Sequence, residues 1–207
     1  MANKTIILVS SICFLFFFLY GLTSRGNLQV SDEVTVFSTG LSLATRGSLA
    51  IDELQGLQKN NCLPFGQIGR GDHLYGKYFP GNVVSVAIAY KLFEQQNDPP
   101  HIINGYNYIA APSLIGAQWA MGINAFYGAM AMIAMLILLK RYFAWKTTVA
   151  TVLLLGICSD WWYQSRGLLS EIGAGTFLII SLCLAAYKKP YLGSLFLRSR
   201  YCFALQI

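Results

Sequence analysis

The sequence predicts an all-α integral membrane protein with about four membrane-spanning helices and one long outer loop bearing amphipathic and juxtamembrane helices. Three observations predict it. Of 207 residues, 55% are hydrophobic and only 12% are charged, about half the charge of an ordinary soluble domain. The apolar residues fall in long uncharged runs, and the charges collect at the ends of those runs. The net charge of +6 therefore forms no basic face, and a nucleic-acid partner is excluded. So are a disordered chain and a disulfide scaffold.

A helix needs roughly 20 mostly apolar residues to cross about 30 Å of hydrocarbon. The first candidate, about residues 5–22, has no charge after Lys4 and contains Phe14-Leu15-Phe16-Phe17-Phe18-Leu19. It exceeds the apolar core of a signal peptide, and Tyr20-Gly21-Leu22-Thr23 is a poor small-x-small cleavage site, so it reads as an uncleaved signal-anchor. The second span covers about 113–139, the third about 147–163 and the fourth about 168–187. Asp160 and Glu171 are the acidic residues of the last two. The run Val83–Tyr90 is too short to cross and reads as an interfacial or re-entrant helix.

Lysine and arginine set the orientation. With the amino terminus in the cytoplasm, the cytoplasmic parts hold Lys4, Lys140, Arg141, Lys146, Lys188, Lys189, Arg198 and Arg200 and no acid. The loop 23–112 then faces outside, with six basic and seven acidic residues. The tail 191–207 becomes a cytoplasmic segment, read either as resting on anionic lipid or as the unfinished start of something longer. Only Cys62 of the five cysteines faces outside, so no disulfide pair or zinc spacing is formed.

A loop of this length is usually functional. Its first element is an amphipathic helix. Ser31 is the candidate N-cap, Asp32 and Glu33 sit in the first turn, Val34, Phe37, Leu41 and Ala44 repeat along one face, and Gly47 after Arg46 is the stop. The two acids lie close to the bilayer, where a carboxylate can address a lipid-linked substrate; helix-dipole complementarity is the plainer account. The segment from Ile68 to Gly81 offers Arg70, His73 and Lys77 as cationic partners for phosphate, and Tyr75 and Tyr78 as flat faces for a sugar or for the interfacial belt. An ordinary turn is again the alternative. Arg70-Gly71-Asp72 also spells an adhesion tripeptide, a match too short to use. A third polar cluster, Asp160, Trp161, Trp162, Tyr163, Gln164, Arg166 and Glu171, falls on the same side. Arg166 and Glu171 are five apart, off the spacing of a good helical pair, so Glu171 should find its partner elsewhere.

The order of these features resembles the amino-terminal part of the GT-C membrane glycosyltransferases. The features are a signal-anchor, Ser31-Asp32-Glu33 opening a helix that ends in Leu43-Ala44-Thr45-Arg46-Gly47-Ser48-Leu49, then Leu74-Tyr75-Gly76-Lys77-Tyr78-Phe79-Pro80-Gly81 before a short apolar helix, and Tyr163-Gln164-Ser165-Arg166-Gly167-Leu168-Leu169-Ser170-Glu171. The nearest likeness is to the bacterial branch of protein O-mannosyltransferases, aminoarabinose transferases and Rgt-type lipopolysaccharide transferases, over about residues 5–190. Members of that family are much longer and have more spans, so the resemblance implies an amino-terminal part.

The resemblance implies transfer of a sugar, with inversion, from a polyprenyl-phosphate donor to an acceptor outside a bacterial plasma membrane. It implies Asp32 as general base, with Glu33 as the neighbouring candidate. Arg70, His73, Lys77 and Arg166 are candidates for the phosphate and Glu171 for the substrate. Membrane lipids and the lipid-linked donor are the implied partners. No protein metal ligand is assigned, although some relatives hold a divalent ion such as magnesium or manganese beside the acids. The alternative is a non-catalytic assembly or scaffold protein bound to another membrane protein.

Overall fold

The structure, a computed structural model, describes residues 2–25, 28, 30–61, 65–78, 80–93, 114–189 and 192–194. Cys62, Cys202, the end of the long loop and nearly all of the tail 191–207 lie outside the described residues, so the expectations for them are not addressed. The described chain is mostly helical. The helices are α1 (Ala2–Leu22), α2 (Ser31–Arg46), α3 (Gln55–Asn61), α4 (Pro80–Phe93), α5 (Leu114–Lys140), α6 (Trp145–Cys158), α7 (Asp160–Ser165) and α8 (Ser170–Ala186). A small antiparallel hairpin, β1 (Gly66–Ile68) and β2 (Leu74–Gly76), interrupts them, with Gly66 opposite Gly76 and Ile68 opposite Leu74.

Helices α1, α5 and α8 form a bundle in which α5 packs against the other two. Helix α1 shows why. Ile12, Phe16 and Tyr20 are buried and recur every four residues, which puts them on one helix face. That face meets α5 and α6: Gly156 leaves room for the Phe16 ring, and the Tyr20 hydroxyl donates to the Gly156 carbonyl at 3.0 Å. Phe14, Leu15, Phe17, Phe18 and Leu22 point outward, so α1 is apolar on all sides while only one face is covered.

Among the described residues, one helix is long and apolar enough to cross a membrane, Trp119–Lys140 within α5. The expected four spans are therefore not supported by length. The third run breaks at Ser159, whose extended backbone (φ −112°, ψ 172°) ends α6 at Cys158 and opens α7. The fourth begins only at Ser170, because Leu169 is extended (φ −86°, ψ 140°). The described apolar part of α1, Ile6–Leu22, is likewise among the shorter helices.

Helices α2 and α4 and the hairpin make a second core around Phe37, Leu41, Ile51, Phe65, Leu74 and Val86. Gly47 ends α2 as expected. It adopts the left-handed conformation (φ 65°) and donates to the Leu43 carbonyl at 3.2 Å, the geometry glycine alone accepts at no cost. One other expectation fails. The residue before the helix is Val30, with no side-chain cap, and Ser31 is already helical. The amphipathic helix does lie against protein, and it is enclosed further than its apolar face alone requires, for every residue from Glu33 to Ser42 is buried. The hairpin covers one side, with Gly76 against Thr35 and Thr39, and α4 covers another, with Val86 against Gly40. The polar residues survive burial because Thr35 and Thr39 donate to the Ser31 and Thr35 carbonyls at 2.8 and 2.7 Å.

Candidate functional site

Three segments far apart in sequence meet at one end of the α1–α5–α8 bundle: the start of α2, the residues that follow β2, and the turn between α7 and α8. The start of α2 carries Asp32. Its Oδ1 lies 3.1 Å from Lys77 Nζ, and the two side chains are 38% and 30% exposed. Hairpin register sets this pairing. Gly76 ends β2 against α2, where a Cβ would crowd Thr35 and Thr39, and Lys77 follows directly beside the first turn of that helix.

Tyr78 brings its hydroxyl toward the same carboxylate. The hydroxyl is buried and, among the described residues, completes no hydrogen bond of regular geometry, yet it is near enough for each group to influence the other's ionisation. Burial pushes the Asp32 carboxyl up, but Tyr78, the Lys77 ammonium and Ser31 outweigh it, and the group ends below its ordinary carboxylate value. Burial, the Asp32 carboxylate and the Glu171 charge all hold Tyr78 in its neutral form. Glu171, in the first turn of α8, thus acts on the same tyrosine as Asp32.

Glu33 is one residue further along α2 and turns about 100° into the protein. It is 0% exposed, its Oε1 accepts the Leu168 amide at 3.1 Å, and Arg25 Nη1 lies 3.8 Å away. Arg25 in turn stacks on Tyr163 at 4.1 Å. The two neighbouring acids therefore have different surroundings. Asp32 is open and ionised beside a cation, whereas Glu33 is enclosed and committed to backbone.

The other candidate residues are more dispersed. Arg166 donates through Nε to the Thr23 carbonyl at 2.7 Å and stacks on Trp162 at 4.6 Å, so its head ties α1 to the α7–α8 turn. His73 sits at the far end of the hairpin, where Nδ1 is 2.6 Å from Asp52 Oδ2, and Asp52 Oδ1 also accepts the Leu74 amide at 2.8 Å. Arg70 lies in the exposed turn between the strands. Lys77 and Glu171 are brought toward Asp32, and Arg70 and His73 stand a strand's length away.

Chemically, Asp32 can accept a proton from a hydroxyl group and Lys77 can steady a developing anion. A divalent metal is less well matched. Among the described residues no three His, Cys, Asp or Glu side chains gather as such an ion needs, and Lys77 already faces Asp32.

Sequence reasoning missed three contributors. In the sequence Tyr78 offers only a flat face, and nothing there marks it as a neighbour of Asp32. Asn82 and Asn124, both buried, donate to the Leu169 carbonyl at 3.1 and 2.8 Å. The signal for them was present, since an asparagine inside an apolar run needs a partner. No family model, curated protein or solved structure matches this chain.

Proposed function

We propose that the chain is a membrane-embedded glycosyltransferase, or the amino-terminal part of one, that moves a sugar from a polyprenyl-phosphate donor to an acceptor hydroxyl outside a bacterial plasma membrane. One observation carries the reading. Asp32 is an ionised, partly open carboxylate paired with Lys77 where three distant segments of an apolar helical bundle converge. In this reading α1, α5, the broken pair α6–α7, and α8 cross the membrane. The break at Ser159 does not prevent this, because α6 and α7 together cover 145–165, roughly the length a span requires. The basic residues Lys140, Arg141, Lys146, Lys188 and Lys189 then mark the cytoplasmic end.

Asp32 takes the proton of the acceptor hydroxyl as its oxygen attacks the anomeric carbon. The bond from that carbon to the phosphate oxygen breaks, its electron pair leaves with the polyprenyl phosphate, and the sugar is transferred with inversion. Protonation removes the negative charge that holds Lys77, which frees the ammonium to face the departing phosphate. Glu171, exposed at the start of α8, lies toward the same place and offers an acceptor to a sugar hydroxyl, while the buried Tyr78 hydroxyl supports Asp32. The lowered pKa of Asp32 keeps the base ionised at neutral pH, at the cost of weaker basicity.

The test is turnover of a radiolabelled polyprenyl-phosphate hexose by the full chain in proteoliposomes. Asp32→Asn should lower release of polyprenyl phosphate by about 100-fold with helical content unchanged. Wild-type turnover in that variant would remove Asp32 as the base.

A further inference from the structure

Three buried side chains from three different helices converge on one short turn. Between α7 and α8 the chain runs Arg166-Gly167-Leu168-Leu169. Glu33 on α2 accepts the Leu168 amide, while Asn82 on α4 and Asn124 on α5 both donate their Nδ2 groups to the Leu169 carbonyl. Their exposures are 0%, 2% and 0%. Gly167 closes the arrangement, because a Cβ at that position would overlap Glu33 Oε1.

The asparagines are costly. A carbonyl accepts only from the NH2 side of an amide, so the shared Leu169 oxygen fixes both orientations. Among the described residues, each Oδ1 is left buried without a hydrogen-bond partner. A leucine of similar size would leave no such acceptor stranded, so packing stability alone does not favour asparagine at either position. Polar groups that sacrifice stability are concentrated where a particular geometry matters. Leu169 is the last residue before α8, and Glu171 follows in its first turn. On the other side of the clamp, Glu33 is the immediate neighbour of Asp32.

We infer that Glu33, Asn82 and Asn124 are positioning residues that act as one clamp, fixing the Gly167–Leu169 turn and the start of α8 against the helix that carries Asp32. Glu33 thereby serves the site through backbone and does not share the role of base. The catalytic consequence rests on the reading proposed above; the clamp itself does not.

Amide hydrogen exchange of the full chain in lipid nanodiscs tests it, with the Leu168 and Glu171 amides as reporters and helical content as the folding check. Both asparagines bond to Leu169, whereas the Leu168 amide bonds to Glu33. A single clamp nevertheless requires Asn82→Ala and Asn124→Ala each to speed Leu168 exchange by about tenfold. Glu33→Gln and Glu33→Ala both remove the charge that faces Arg25, and they differ in whether a side-chain acceptor still reaches Leu168. Glutamine keeps an acceptor and should hold exchange about tenfold slower than alanine. Leu168 exchange at the wild-type rate in either asparagine variant, or equal rates in the two Glu33 variants, would overturn the clamp. A clamp that passes in a chain with no sugar turnover would leave this inference standing and remove only the glycosyl reading.

Discussion

Lys77 Nζ stands 3.1 Å from Asp32 Oδ1, and the pair joins the end of the hairpin to the first turn of α2. Both side chains keep part of their surface in solvent, so the contact matters more for the ionisation of Asp32 than for the stability of the fold. Replacing Lys77 with methionine keeps the stem and removes the charge. Burial, which already pushes the Asp32 carboxyl upward, then meets less opposition. The titration midpoint of Asp32, followed by carbon NMR of labelled aspartate carboxyls, should rise in Lys77→Met. An unmoved midpoint would mean that Tyr78 and Ser31 suffice.

Asp52 controls the acid stability of the hairpin. The Leu74 amide, and after it His73, outweigh a small effect of burial and hold its carboxyl below the ordinary value. A carboxylate depressed in the folded state adds stability that is fully present above its unfolded value, about 3.9, and disappears as pH falls through the lower folded value. Hydrogen exchange at Leu74 should accordingly quicken on acidification across that window, beyond the intrinsic pH dependence of exchange. In Asp52→Asn this extra dependence should be lost. A variant that kept it would assign the acid sensitivity to another group.

How much of this was readable from residues alone depends on the range of the interaction. The end of α2 at Gly47 was readable because one glycine and the preceding turn determine it. The pairing of Asp32 with Lys77 was not, because it depends on hairpin register and on where β2 meets Thr35 and Thr39. Glu33 looked equivalent to Asp32 in sequence, and only the approach of Gly167 and Leu168 separates them. Hydropathy located the four apolar runs, but it could not see that Ser159 and Leu169 would leave the helical conformation and shorten two of them.

The Tyr20 hydroxyl links α1 to α6 by its bond to the Gly156 carbonyl. Tyr20→Phe keeps the ring, which is fully buried, and leaves that carbonyl without its side-chain donor. The expected loss is about 1 kcal/mol, read as a lower unfolding midpoint in detergent. No change would show that solvent or the helix itself satisfies Gly156 equally well.

Two glycine-to-alanine substitutions should move stability in opposite directions. At Gly156 a Cβ would overlap the ring of Phe16, and Phe16 is 0% exposed with Tyr20 at its side, their ring centroids 5.5 Å apart. The ring has little freedom to withdraw, so Gly156→Ala should separate α6 from α1 and cost about 1–3 kcal/mol, the usual range for overpacking. At Gly21, near the end of α1, a Cβ would meet nothing within 4 Å. Alanine there restricts the unfolded chain and favours the helix, a gain of about 0.5–1 kcal/mol. Unfolding midpoints of the two variants in the same detergent check both signs at once. If Gly156→Ala proved neutral, α6 would have to be able to shift away from α1, and the close contact between Phe16 and Gly156 could not be what sets their spacing.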